Sequence, residues 1–145
     1  MQARIAASDL ACRRGDRLLF SGLNFALPAN GAIHLRGPNG SGKTSLIRIL
    51  AGLLRPFAGR VSIEGTIGLV DERLALDENS ILRDALGFWD RLDGAGAAAS
   101  LTDKLHLTSL MDVPVRFMST GQRKRAALAR LIGGGFDIWL MDEPL

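Results

Sequence analysis

Residues 37–44 combine glycines, a lysine and a threonine in an order suited to binding the phosphates of a nucleotide. They read Gly-Pro-Asn-Gly-Ser-Gly-Lys-Thr. The glycines let the backbone curl so that successive N–H groups point into one concavity, and the positive end of a following helix adds to the attraction for phosphate oxygens. We therefore expect Lys43 to reach the β and γ phosphates and the Thr44 hydroxyl to bind Mg²⁺.

Two adjacent carboxylates, Asp142 and Glu143, could supply the hydrolytic chemistry. They follow the apolar run 137–141, which we expect to form a buried parallel strand. Ligands of open α/β sheets bind at the carboxyl ends of the strands. Asp142 is therefore expected to hold Mg²⁺ through water, opposite Thr44, and Glu143 to orient or deprotonate an attacking water.

Residues 119–122, Ser-Thr-Gly-Gln, precede a basic helix that we expect over residues 123–132. One interpretation is a capping box, in which the Ser119 hydroxyl accepts from the Gln122 amide while the Gln122 side chain reaches back. The other is that the helix start, left open by Gly121, presents amides and a hydroxyl to a second phosphate. The basic side chains of this helix are expected to form a solvated face: Arg123, Lys124, Arg125 and Arg130.

The elements that must position these residues follow from hydrophobic periodicity and turn signals. The first part of the chain predicts antiparallel strands over residues 5–12, 18–20 and 23–27, with a charged turn at 13–17 and another turn at 28–31. Residues 32–36 alternate as a short strand. This strand is expected to enter residues 37–44, which we call the phosphate loop. A helix is expected over residues 44–51, closed by Gly52.

The middle of the chain predicts two short strands, a loop and a small helical insertion. The strands fall within residues 59–70, and the polar stretch 71–79 is a loop. Asn79 or Ser80 is expected to cap a helix with an apolar stripe at Leu82, Ala85, Leu86 and Trp89. Gly94-Ala95-Gly96 interrupts it, and a second short helix with Leu101 and Leu105 follows. Residues from about 79 to 118 therefore predict a helical subdomain.

Length and composition set broader bounds. The 145 residues allow one modest domain, and 47% hydrophobic content is enough for a packed core. A net charge of +3 is too weak to argue for nucleic acid as a partner. The single cysteine, Cys12, excludes an internal disulfide framework and fits a reducing compartment. The sequence contains no apolar run long enough to span a bilayer and no signal-peptide layout, so we expect membrane association only through a partner.

In order and spacing, residues 37–44, 119–122 and 142–143 resemble the Walker A, signature and Walker B motifs of the ABC ATPases; Asp142 follows Gln122 by 20 residues. The resemblance implies an α/β P-loop NTPase fold: one ABC-type nucleotide-binding domain over 1–145, with an antiparallel β subdomain and the helical subdomain. It implies ATP and Mg²⁺ as cofactors, with ATP bound by Gly37, Pro38, Asn39, Gly40, Ser41, Gly42, Lys43, Thr44 and Ser45.

The resemblance also implies a second ATP-binding subunit, because the signature acts in trans across a head-to-tail dimer. The signature residues here are Ser119, Thr120, Gly121 and Gln122. Lys43 and Glu143 would be the catalytic side chains, with Thr44 and Asp142 as the Mg²⁺ ligands. Hydrolysis would then need residues from both copies.

A closer similarity covers most of the chain. Residues 12–25, 50–56, 112–115 and 126–131 are similar to the ATP-binding subunits of the cytochrome c maturation haem exporter (CcmA type). That similarity implies a peripheral subunit on the cytoplasmic side of the bacterial inner membrane, which works with membrane-spanning subunits in haem export. The alternatives are a soluble ABC-class ATPase acting on ribosomes or DNA, and a nucleotide-binding fragment without catalysis.

Four features depart from the family pattern. Arg14 stands where an aromatic residue usually stacks on adenine, and its guanidinium plane could stack instead. The glutamine expected after Val70 is absent, with Asp-Glu-Arg at 71–73, and Thr120 replaces a glycine of the commonest signature. The chain also stops at Leu145, before the family's subunit-facing loop and switch histidine, so we expect the fold to be incomplete at its C-terminus.

Overall fold

The computed structural model describes residues 4–94 and 99–143. The chain divides into two compact units, Met1–Ile67 and Gly68–Leu145, and each is described by itself. The phosphate loop lies in the first unit. The capped helix start at Ser119 and the carboxylate pair lie in the second.

The first unit is built on a three-stranded antiparallel sheet with the strand order β2-β1-β3. Its strands are β1 (Arg4–Arg14), β2 (Arg17–Leu27) and β3 (Ala58–Glu64). The β1–β2 hairpin turns at Gly15 and Asp16, where Gly15 has a φ of 60°. The antiparallel hairpin is confirmed, and the two strands expected over 18–27 form one continuous strand.

Helix α1 (Lys43–Leu50) begins at the end of the phosphate loop and packs its apolar side inward. Leu46, Ile47, Ile49 and Leu50 are buried. Ile49 joins a cluster that also contains Ala7, Leu10 and Cys12 of β1, so the sheet anchors the helix. Gly52, with a φ of 77°, follows the helix end. The helix predicted over 44–51 is confirmed to within one residue.

Residues 32–36 are not a strand, which corrects the prediction for the segment that enters the phosphate loop. Alternating side chains make a segment suitable for a strand, but the strand forms only when its N–H and C=O groups pair with a neighbour. Within the described residues, β1 is already flanked by β2 and β3, and β4 and β5 pair with each other. The segment pairs with none of these strands, and Ile33 is exposed.

The second unit contains a two-stranded sheet of β4 (Ile67–Val70) and β5 (Ile138–Met141). The strand expected at 137–141 is confirmed. The prediction that this strand is fully buried is wrong. Ile138 and Leu140 are buried, but Trp139 and Met141 are 47% and 40% exposed. A strand is buried on both faces only when other elements cover both, and the described residues cover one.

Helix α2 (Leu82–Asp93) carries the predicted stripe, with Leu82, Ala85 and Leu86 buried. The predicted side-chain cap at Asn79 or Ser80 is wrong, because Ile81 occupies the cap position and makes no side-chain bond. Backbone carbonyls take over that role: the amides of residues 82 and 83 donate to the carbonyls of residues 113 and 111, at 3.0 and 2.9 Å. Because those acceptors are distant in sequence, the residues around the helix start could not predict them.

The described part of the segment between α2 and α3, residues 99–119, consists mostly of turns. The expected second helix is only a 3-10 turn at Ala99–Leu101, followed by others at Thr108–Leu110 and Val115–Phe117. Gly94 ends α2 with a φ of 75°, while the Ala95 and Gly96 part of the expected break lies outside the described residues. Helix α3 (Thr120–Gly133) confirms the predicted basic helix, and its Ala126 and Ala129 pack in one core cluster with Leu82 and Leu86.

Candidate functional site

The phosphate loop has the curled backbone that its glycines predict. Gly40 and Gly42 have φ values of 82° and 102°, in the left-handed region that glycine adopts readily. The Ser41 amide donates to the Pro38 carbonyl at 3.2 Å, which closes the turn. Residues 37–40 are exposed to solvent. The loop is thus a formed turn that is open to a ligand.

Two of the loop glycines are also required by space. A Cβ on Gly37 would lie 2.8 Å from the Ser41 hydroxyl oxygen, and one on Gly42 would lie 2.9 Å from Cδ1 of Phe20. Phe20 belongs to β2, so the sheet supports the last turn of the loop. Both the backbone conformation and the packing at position 42 therefore favour glycine.

Lys43 places a cation over the loop. Its Nζ donates to the Gly37 carbonyl at 2.6 Å, which links the two ends of the motif. Gly42, at the start of α1, has no side chain to cap the helix amides, and the first turn holds no acidic residue. Uncapped amides, the positive helix end and a lysine together make a site for an anion.

Arg14, the expected adenine contact, is the last residue of β1 and is exposed. It pairs in register with Arg17 across the hairpin tip. Its neighbour Arg13 already stacks on an aromatic ring, with its guanidinium carbon 4.6 Å from the centroid of Phe57. The adenine stack on Arg14 stays a prediction.

The segment Ser119–Gln122 forms the capping box. The Ser119 hydroxyl oxygen accepts from the Gln122 amide at 3.1 Å, and the Gln122 side-chain oxygen accepts from the Ser119 amide at 2.8 Å. This interpretation is confirmed. The hydroxyl keeps its single O–H for another acceptor, and the position of Gly121 has no heavy atom within 4 Å of an added Cβ. The phosphate interpretation stays a prediction for Ser119, Thr120, Gly121 and Gln122.

Asp142 and Glu143 follow β5 directly, as expected. Asp142 is 8% exposed, the one buried charged side chain among residues 4–94 and 99–143. Its amide donates to the Val70 carbonyl of β4 at 2.8 Å, which ties the carboxylate to the sheet. Glu143 is exposed and has a φ of 49°, an uncommon backbone conformation for a residue other than glycine. The pair thus combines a shielded carboxylate with an accessible one.

The solvated face predicted for the basic helix is wrong for two of its residues. Arg123 pairs with Glu78 at 3.4 Å, and Arg130 pairs with Asp93 at 3.4 Å and packs on Trp89. The sequence did hold a signal for Arg130. It lies four residues after the buried Ala126 and three before the buried Gly133, on the inward stripe of α3.

A cavity of about 570 Å³ in the second unit was not expected from the sequence. The loop predicted at 71–79 forms one side and α2 the other, with apolar, aromatic and acidic side chains mixed. Its lining residues are Leu74, Ala75, Leu76, Asp77, Ser80, Asp84, Ala85, Phe88, Trp89 and Arg91. The Ser80 hydroxyl donates to Asp77, as does the Asn79 amide, and both hydrogen bonds lower the pKa of that carboxyl.

Comparison with known proteins places these features in one family. Residues 20–145 match the family described as ABC transporter. The cytochrome c biogenesis ATP-binding export protein CcmA of Novosphingobium aromaticivorans is 59% identical over 97% of this chain and 72% of its own length. The CcmA protein of Sphingopyxis alaskensis is 52% identical over 99% of this chain and 75% of its own length.

Solved structures agree on the fold. A bacterial Atm1-family ABC exporter, determined with ATP bound, superposes with a TM-score of 0.78 at 22% sequence identity, over 99% of this chain and 30% of the exporter chain. In the part of the chain that the structure describes, no helix is both long enough and apolar enough to cross a membrane.

Proposed function

This chain belongs to the ABC transporter family, as an ABC ATPase of the CcmA type, and from that premise we propose that it powers haem export during cytochrome c biogenesis. The family assignment makes it an ATP-binding and ATP-hydrolysing subunit of a transporter. The observation that carries the finer proposal is the 59% identity to a cytochrome c biogenesis export protein over 97% of the chain. Haem as the exported molecule is our inference.

For ATP binding, we assign the triphosphate to the loop of residues 37–45. The amides of the curled loop and the uncapped start of α1 would bind phosphate oxygens, and Lys43 would exchange the Gly37 carbonyl for the β and γ phosphates. Arg14 would stack on the adenine. The phosphate roles rest on the geometry of the loop and on the charge placed over it, and the adenine role rests on the exposed position of Arg14 at the end of β1.

The oxygen ligands needed for Mg²⁺ are present. Magnesium prefers carboxylate and hydroxyl oxygens, and Asp142 supplies a carboxylate shielded from water while Thr44 supplies a hydroxyl. We propose these two residues as its ligands on this chain. When bound, the ion would neutralise charge on the β and γ phosphates. Glu143, exposed beside Asp142, would orient or deprotonate the attacking water.

ABC ATPase subunits of transporters dimerise and work with membrane subunits, and we extend this to the present chain. The segment Ser119–Gln122 of one copy would close over the γ-phosphate held by the other copy, with Gly121 allowing close approach. The whole chain would act as a single ATP-binding domain with a helical subdomain at about 79–118. It would sit peripherally on the cytoplasmic side of the inner membrane, bound to membrane-spanning subunits.

Deleting the gene tests the transport proposal directly. We expect c-type cytochromes with covalent haem to disappear from the deleted strain, measured by haem staining of separated proteins, and to return when the gene is supplied on a plasmid. A plasmid encoding Lys43→Ala should not restore them, whereas one encoding Arg48→Ala should, because Arg48 is an exposed residue at the far end of α1. Normal cytochromes in the deleted strain would contradict a role in their biogenesis.

A further inference from the structure

Arg130 lies at the centre of a cluster that joins α2, α3 and the segment before β5. Its guanidinium carbon is 3.8 Å from the ring centroid of Trp89 and 5.6 Å from that of Phe136. Its Nε donates to Asp93 Oδ2 at 3.4 Å. The side chains of Arg130 and Asp93 are only 20% and 12% exposed. We call Trp89, Asp93, Arg130 and Phe136 the Arg130 cluster.

Both the charge and the planar guanidinium of Arg130 contribute to this cluster. A guanidinium stacked on an aromatic ring is attracted more strongly when water is excluded. A shielded ion pair also behaves asymmetrically, because removing one partner leaves the other charge without compensation. An uncharged side chain of similar length could fill the space, but it could not hold Asp93 and the two rings in place.

Phe136 is the member of the cluster that leads to the candidate site. Its ring packs directly on backbone, since a Cβ on Gly68 of β4 would lie 2.5 Å from its Cδ2, and one on Gly134 would also overlap the ring. Strand β5 begins two residues later, at Ile138. Phe136 is therefore packed against β4 and the turn after α3 immediately before β5 begins.

Strand β5 carries that position to the carboxylates. It has four residues and ends at Met141, immediately before Asp142, so it spans about 13 Å. The Asp142 amide is bonded to β4 at 2.8 Å, and a short paired strand has little freedom to absorb a displacement at its start. A shift at Phe136 would move Asp142 and Glu143, and a misplacement of about 1 Å at a reacting centre can cost about 100-fold in rate.

We propose that Arg130 is a positioning residue for Asp142 and Glu143, acting through Phe136 and β5. This inference rests on the proposed ATPase function, and it gives Arg130 no contact with the nucleotide. It also explains why a charged residue occupies the inward stripe of α3. The opposite end of the same helix carries Ser119–Gln122, so Arg130 joins the helix that bears the signature to the strand that bears the carboxylates.

The test compares Arg130→Met with Arg125→Met in the purified protein. Arg125 lies on the same helix and makes none of the contacts that define the Arg130 cluster. Binding of a fluorescent ATP analogue without Mg²⁺ should stay within about twofold for both variants, because the phosphate loop lies in the other unit. For Arg130→Met alone, turnover at saturating ATP and Mg²⁺ should fall at least about tenfold, and the half-saturating Mg²⁺ concentration should rise about fivefold.

The Mg²⁺ dependence separates positioning from a merely structural role. A folded Arg130→Met protein whose turnover falls at an unchanged half-saturating Mg²⁺ concentration would overturn the proposal, because misplaced carboxylates would weaken the Mg²⁺ site. If Arg130→Met does not fold, Arg130→Lys decides instead: it keeps the ion pair but loses the planar stack, and a raised half-saturating Mg²⁺ concentration supports the proposal while an unchanged one overturns it.

The ATPase proposal and the Arg130 proposal fail in different ways. A wild-type protein that binds ATP but does not hydrolyse it would overturn both. A wild-type protein that hydrolyses ATP at a rate that Arg130→Met leaves unchanged would overturn only the positioning role.

Discussion

The phosphate loop and the carboxylate end of β5 position their charged groups by different kinds of contact. The loop uses backbone: left-handed glycines, uncapped amides and one lysine bonded to a carbonyl within its own motif. The carboxylate end uses tertiary contacts: Asp142 is buried and its amide is bonded to β4, and Phe136, which precedes β5, lies against Arg130 of α3. One site is exposed and local, and the other is shielded and assembled.

This difference predicts how each region responds to substitution. Changes in the loop should alter nucleotide affinity, because the loop is proposed to bind phosphates with groups that are already in place. Changes around β5 should alter turnover, because a carboxylate must be held at a defined distance from the reacting atoms. Of the four predictions that follow, the first two test this separation and the other two test local stability and a hydrogen-bonded carboxylate. They run from the largest expected effect to the smallest.

Glu143→Gln should give the largest effect. The amide keeps the size of the side chain but cannot accept a proton, so turnover should fall by about a thousandfold while ATP affinity stays within about twofold. Phosphate release and binding of a fluorescent ATP analogue measure the two quantities. Glu72→Gln, a glutamate in the loop after β4, serves as the control and should hydrolyse normally. Normal turnover by Glu143→Gln would remove Glu143 as the general base.

Lys43→Ala, in the phosphate loop, should lower ATP affinity. Losing charge-assisted hydrogen bonds worth about 3 kcal/mol should weaken ATP binding by about 100-fold. Arg48→Ala, on the same helix, should bind as the wild type does. Titration calorimetry with ATP measures both variants. Wild-type affinity in Lys43→Ala would show that the lysine bonded to Gly37 stays there when nucleotide binds.

Two glycines, one in the phosphate loop and one at the start of α3, test whether local backbone demands differ along the chain. Gly42→Ala should lower the free energy of unfolding by about 2 kcal/mol, since its φ of 102° disfavours a side chain and Phe20 blocks the Cβ. Gly121→Ala should raise it by about 0.5 kcal/mol, because the site is open and alanine favours a helix. Denaturant unfolding measures both changes. Equal destabilisation by the two variants would contradict the contrast.

The smallest effect concerns Asp77, at the rim of the cavity in the second unit. Its pKa is lowered mainly by the Ser80 hydroxyl and also by the Asn79 amide, so Ser80→Ala should raise that pKa toward its ordinary value. A lowered pKa in the folded state adds stability above the unfolded pKa, and this stability is lost as the pH falls through the folded pKa. NMR titration of the side-chain carboxyl carbon measures the shift. An unchanged pKa would mean that Ser80 does not hold the carboxylate.

Much of the loop's structure could be read from the sequence, because its causes are local. Positive φ at glycine, a helix start after Gly42 and a serine that caps its own helix depend on residues within a few positions of one another. The same holds for the β1–β2 hairpin and for the apolar stripe of α2. These are the elements that the structure confirms.

Tertiary structure decided the features whose partners are distant in sequence. Residues 32–36 have the alternation of a strand but pair with no strand among the described residues. The first amides of α2 are satisfied by the carbonyls of residues 111 and 113 and not by the side chain of Ser80. The sequence predicted a solvated Arg130, but in the structure its side chain contacts Trp89, Asp93 and Phe136. A local pattern determines which conformations a segment prefers, whereas pairing and burial depend on which other segments arrive beside it.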